Sequence, residues 1–159
     1  MSHVLPASLA VRNLLEDLLG REVTVSPAEP PRAEHLRTAT VAVYVDDTLR
    51  LSAVLALDLR LAAFAGAALG LMPVGGAEDC IDEKNLSPVL AENVSELCNV
   101  LTGLLNREGG RHLRLYQLHL PGAALPSDVG AHALALGNRL DLNVDVARYG
   151  AGQLWLSLV

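Results

Sequence analysis

Two pairs of strand-like segments, each pair joined by a short turn, constrain this chain more than any other feature. Ala39 to Val45 alternates β-branched and aromatic residues; Asp46-Asp47-Thr48 follows as a turn, and Leu49 to Leu57 alternates again. Near the C-terminus, Arg139 to Arg148 and Gln153 to Val159 repeat the arrangement around Tyr149-Gly150-Ala151-Gly152. A period of two places alternate side chains on opposite faces, and a short connection forces antiparallel pairing. Leu113 to Leu120 reads as a further strand and Glu22 to Ser26 as a short one. The chain is therefore expected to rest on a mainly antiparallel sheet.

The remaining segments supply the cover. Leu5 to Leu19 carries Val11, Leu14, Leu15 and Leu18 on one helical face, with Pro6 suited to the first turn and Gly20 to the C-terminal cap. Leu59 to Leu71 is crowded with Ala and holds Gly66 and Gly70, as expected of a helix packed closely on a sheet. Ser87-Pro88 opens another helix as cap and first helical residue, running to about Arg107 with Gly109-Gly110 closing it. Pro27 to Glu34 and Met72 to Asn85 read as loops, and Pro121 to Gly137 as irregular or briefly helical. The expected fold class is α+β, long helices on a mainly antiparallel sheet, with residues 1–159 forming one domain.

Composition narrows the function classes. Apolar residues make up 51% and charged residues 19%, which is a core-forming rather than a disordered mixture. The net charge is -6, with 12 basic against 18 acidic residues, so no basic surface for nucleic acid is expected. The uncharged stretch from Leu61 to Ala77 is too short and too weakly apolar for a membrane span, and the N-terminus is interrupted by Arg12, Glu16 and Asp17. A soluble cytoplasmic protein is the expectation. Cys80 and Cys98 are too few for a metal cage or disulfide framework, and Cys98 reads as a buried small hydrophobe. His3, His35, His112, His119 and His132 show no ligand spacing, so no metal site of its own is expected. Asp79, Asp82 and Glu83 read as a solvated loop, and Trp155 as core.

The informative segment is Pro88 to Asn106. Leu90, Val94, Leu97, Leu101 and Leu104 cluster on one side of this helix, while Glu92, Glu96, Asn99 and Gly103 fall at i, i+4, i+7 and i+11 on the other. A solvated face would give the same spacing. Asn is a poor helix former, however, and Gly costs about 1 kcal/mol relative to Ala. An Asn, a Glu and a Gly in line suit a place where another molecule's backbone comes close.

Glu96-Leu97-Cys98-Asn99, with Gly103 four residues on, resembles the Glu-x-x-Asn signature of the CheC/CheX/FliY chemotaxis phosphatases, and the single copy is closest to CheX. The order of elements agrees over nearly the whole chain. The sequence departs from the family pattern in having Glu92 where Asp or Ser is usual, and in Pro121 standing one residue early. The resemblance implies hydrolysis of the aspartyl phosphate of a CheY-type response regulator. Asn99 would orient the attacking water and Glu96 would pair with the receiver's lysine, with Glu92 and Gly103 in the partner-binding surface. It also implies no cofactor of the chain's own, the Mg²⁺ arriving on the phosphorylated receiver, and leaves open a homodimer with strands paired across its interface. The alternative within the same fold is a non-catalytic interaction or flagellar-switch scaffold domain that binds a receiver.

Overall fold

The computed structural model describes residues 4–106 and 112–159. Five α-helices and six strands follow in the order α1 (Ser8–Leu19), β1 (Val23–Pro27), β2 (Thr40–Val45), β3 (Leu51–Leu57), α2 (Leu59–Leu69), α3 (Val74–Glu83), α4 (Pro88–Leu105), β4 (Arg114–His119), α5 (Ser127–Leu134), β5 (Asn138–Val146) and β6 (Gly150–Leu158) among the described residues. A short 3-10 turn, Ala33–Arg37, precedes β2. The strands form one antiparallel sheet in the order β1-β5-β6-β3-β2-β4. This is the α+β fold that the strand alternation requires.

Both hairpins form. In the first, buried Asp46 replaces backbone partners in the turn: its Oδ1 accepts from Thr48 N at 2.9 Å, Thr48 Oγ1 at 2.6 Å and Arg50 N at 3.0 Å. In the second, Val146 pairs with Gly150, so only residues 147–149 make the turn, with Arg148 left-handed at φ 72°. Gly150 and Gly152 thus belong to the strand rather than to the connection expected from sequence. Their smallness serves packing. A Cβ on Gly150 would lie 2.7 Å from the Phe64 ring, and one on Gly152 2.6 Å from the Asp58 carboxylate, so α2 rests directly on β6.

The expectation that Gly66 and Gly70 bring α2 onto the sheet needs correction. A Cβ on Gly66 would stand 3.1 Å from Val94 Cγ2 and 3.3 Å from the Leu90 carbonyl, so it clears a path for α4 instead. Asn93 seals that contact by donating to the Gly66 carbonyl at 3.0 Å. The segment Met72 to Asn85 also differs from the loop expected. Val74–Glu83 is helical, with Ala77 and Cys80 buried, and Lys84 ends it at φ 57°. Helix α1 starts at Ser8, so Pro6 precedes it; its buried residues are Val11, Leu15 and Leu19, with Leu14 only half-buried. Gly20 caps it at φ 67° as expected. The expected Gly109-Gly110 stop lies outside the described residues.

Helices α1, α2 and α4 lie on one sheet face with α3 packed on α2, burying a large cluster that includes Val11, Tyr44, Leu61, Leu90, Val94 and Leu97. The other face holds a smaller cluster around Val41, Val43, Val54 and Trp155, closed by α5 and the 3-10 turn, with His35 stacked on Trp155. Trp155 is core, as expected. No helix among the described residues is long and apolar enough to cross a membrane.

Candidate functional site

The motif helix α4 is fixed at both ends and in the middle. Ser87 Oγ accepts from Leu90 N at 3.3 Å, and Pro88 takes the first position, where no backbone donor is needed. At the other end Asn106 acts as a substitute peptide: its Nδ2 donates to the Leu113 carbonyl at 2.9 Å and its Oδ1 accepts from Leu113 N at 2.8 Å. Between them, fully buried Tyr44 donates its hydroxyl to the Cys98 carbonyl at 2.6 Å. Strand β2 shifts register against β4 between Val43 and Tyr44 and against β3 between Tyr44 and Val45. These bulges bracket the strand residue whose hydroxyl bonds the motif helix, a usual way of re-aiming a side chain. Burial holds the Tyr44 phenol protonated, and so a donor, far above the ordinary range.

This anchoring sets the rotation of α4. Leu90, Val94, Leu97, Leu101 and Leu104 are all buried, as their spacing predicts. Glu92, Glu96, Asn99 and Gly103 are all exposed and lie along the opposite side. Nothing stands within 4 Å of a Cβ built on Gly103. The side chains of Glu92, Glu96 and Asn99 make no hydrogen bond or ion pair with another described residue. They face solvent with their polar atoms uncommitted, and α4 contains no Lys or Arg to neutralise them. Cys98, between the two motif residues, points the other way; burial pushes its thiol up to about 12, so it is no nucleophile.

Such an arrangement offers a neutral amide and a carboxylate one helical turn apart, on a rigid element, to whatever docks there. It can orient a water or a polar group and pair with a cation. No group of three or more His, Cys, Asp or Glu side chains placed to hold a metal ion occurs among the described residues. The acids Glu78, Asp79, Asp82 and Glu83 lie on α3, exposed to solvent, rather than in a loop. Helix α1 borders the motif helix, which its own periodicity does not disclose. Leu9, Asn13 and Asp17 on its exposed side share a groove with Gly103, and the signal was a Leu outside the buried stripe of that helix.

No family model matches the chain, and no curated protein matches it either. Solved structures do. The FliM–SpeE complex from H. pylori contains a chain with a TM-score of 0.64 at 7% identity, covering 93% of this chain and 79% of that one. CheX from Borrelia burgdorferi, in a CheX–CheY–BeF3–Mg complex, gives 0.58 at 11% identity over 94% and 92%. Chemotaxis protein CheX from Vibrio vulnificus gives 0.57 at 12% identity, covering 95% of each chain. The fold of this chain is the one found in these CheX and FliM structures.

Proposed function

We propose that this chain, which has the fold of the CheX and FliM structures, hydrolyses the aspartyl phosphate of a CheY-type receiver protein. Asn99 orients the attacking water, and Glu96 pairs with the receiver's lysine. Phosphoryl transfer needs little covalent help from the protein; it needs a water in line and stabilised charge. A neutral amide places water without adding negative charge near the phosphoryl oxygens, and a carboxylate one turn away fixes register through a charge-assisted hydrogen bond. Any Mg²⁺ belongs to the receiver. The observation that carries this reading is the exposed line of Glu92, Glu96, Asn99 and Gly103 on an otherwise anchored helix. CheX in complex with CheY, on the same fold, supports it. The test is phosphate release from phosphorylated receivers with and without the protein, and with Asn99→Ala. Acceleration by the wild type and none by a folded Asn99→Ala is expected. Full activity in Asn99→Ala would remove the catalytic assignment.

The similarity to FliM favours one other reading, a scaffold domain that binds a receiver without catalysis. The same assay separates the two, because a scaffold would bind the phosphorylated receiver and leave its phosphate lifetime unchanged.

A further inference from the structure

Beside the motif, α1 and α4 leave a groove of about 430 Å³. Leu9, Ala10, Asn13 and Asp17 form one wall, Gly103 and Leu104 the other. Gly103 therefore belongs both to the polar stripe and to the groove, and its missing side chain makes them one continuous surface. Leu9 is 59% exposed and stands outside the buried stripe of Val11, Leu15 and Leu19. The described core does not use most of that side chain, which instead offers apolar area to a partner. Leu104 links the groove to a smaller apolar crevice beneath it that reaches Leu101 and Tyr44.

Charge in the groove and along the adjoining stripe bears on the occupant. Asp17 forms no ion pair with another described residue, and Glu92 and Glu96 are likewise unpaired. Arg12 is the only cation on α1, and it is engaged by Asn13 Oδ1 at 3.0 Å and Glu16 at 3.9 Å. Among the described residues of α1 and α4, this combined face carries acids without a free cation, and it has an apolar slot at one end. Pairing of two copies through this same face would bring two sets of these acids together, which disfavours that mode of self-association. A partner presenting a cation toward Glu96 and an apolar side chain toward Leu9 is complementary to it.

We infer that this groove is the second half of the receiver-docking surface, taking an apolar side chain that lies beside the receiver's phosphorylated aspartate. The inference rests on the receiver reading above. In this arrangement the α4 stripe performs the chemistry, and the α1 groove supplies affinity and selects among receivers.

The test uses Leu9→Asp. Leu9 is the second residue of α1, where an acid favours the helix, so the thermal midpoint should not fall. Asn13→Trp, at an exposed position, fills the same groove by bulk and serves if the first variant folds poorly. Steady-state phosphate release is measured on CheY-type receivers phosphorylated with acetyl phosphate, alongside binding by calorimetry. Leu9→Asp should raise KM and Kd about tenfold with kcat unchanged, as expected when uniform binding is lost. Asn99→Ala should do the reverse, lowering kcat with Kd retained. An unchanged KM and Kd for both groove variants, in a wild type that accelerates hydrolysis, overturns the groove and leaves the receiver reading standing. A Leu9→Asp protein that instead loses a self-association seen by sedimentation in the wild type assigns the groove to a second copy and overturns the inference. A wild type that neither binds nor dephosphorylates any receiver overturns both.

Discussion

Substituting Gly103 separates stability from function at one residue. A Cβ at this position meets open space, so Gly103→Ala adds no clash and gains only the lower backbone entropy of the unfolded chain. Ala is favoured over Gly inside a helix by about 0.5–1 kcal/mol. For a chain of this length, that corresponds to a rise in Tm of about 1–4 °C. Gly103→Leu should remain folded, because Leu is a good helix former and the space is empty. Its side chain, however, would project between the α4 stripe and the α1 groove and block a docking backbone. The same Gly→Ala exchange at Gly152 should have the opposite sign, since the new Cβ would stand 2.6 Å from Asp58 Oδ1 and against the Leu61 backbone; overpacking of that kind costs about 1–3 kcal/mol. Thermal and denaturant unfolding of the three variants, with receiver dephosphorylation on the two at Gly103, gives the full comparison. A fall in Tm for Gly103→Ala would show that the position is not open. Wild-type activity in Gly103→Leu would show that no partner approaches there, and the stripe would become a solvated helix face.

Two further outcomes are expected. Glu96→Ala should weaken binding of a phosphorylated receiver more than Asn99→Ala does, and the wild-type affinity should fall with salt, because exposed pairs are screened; equal, salt-independent Kd values for wild type and Glu96→Ala would contradict the pairing. Burial raises the Asp58 carboxyl above its ordinary range while its Oδ1 caps α2 by accepting from Leu61 N at 2.8 Å. A raised carboxyl favours the folded state only while protonated, so this contribution is lost as pH rises from the ordinary carboxylate range through the raised value. Asp58→Asn keeps an acceptor and never ionises, so relative to wild type it should gain stability between pH 4 and pH 7. A constant stability difference across that range, measured by denaturant midpoints, would refute the argument.

The elements that sequence determined are those whose signals are local. Ser87 and Pro88 start α4, the period of its Leu and Val residues sets its buried side, and the same period then puts Glu92, Glu96, Asn99 and Gly103 outward. The first hairpin is equally local, since Asp46 supplies its own turn bonds. Helix α3 was not legible, because Gly75, Gly76 and four acids read as a loop; burial of Ala77 and Cys80 by neighbouring elements makes it helical. The glycines of α2 signalled close packing but not its direction, which depends on α4 arriving at Gly66. Residues 150–152 looked like a turn, yet they are strand, kept small by a helix that precedes them in sequence by some ninety residues. Tertiary structure alone also placed Tyr44 behind Cys98 and α1 beside Gly103. Periodicity reports which side of an element is buried, because that follows from backbone geometry within a few residues. Which other element lies against that side depends on strand order and helix docking, and these are settled only when distant segments compete for the same sheet face.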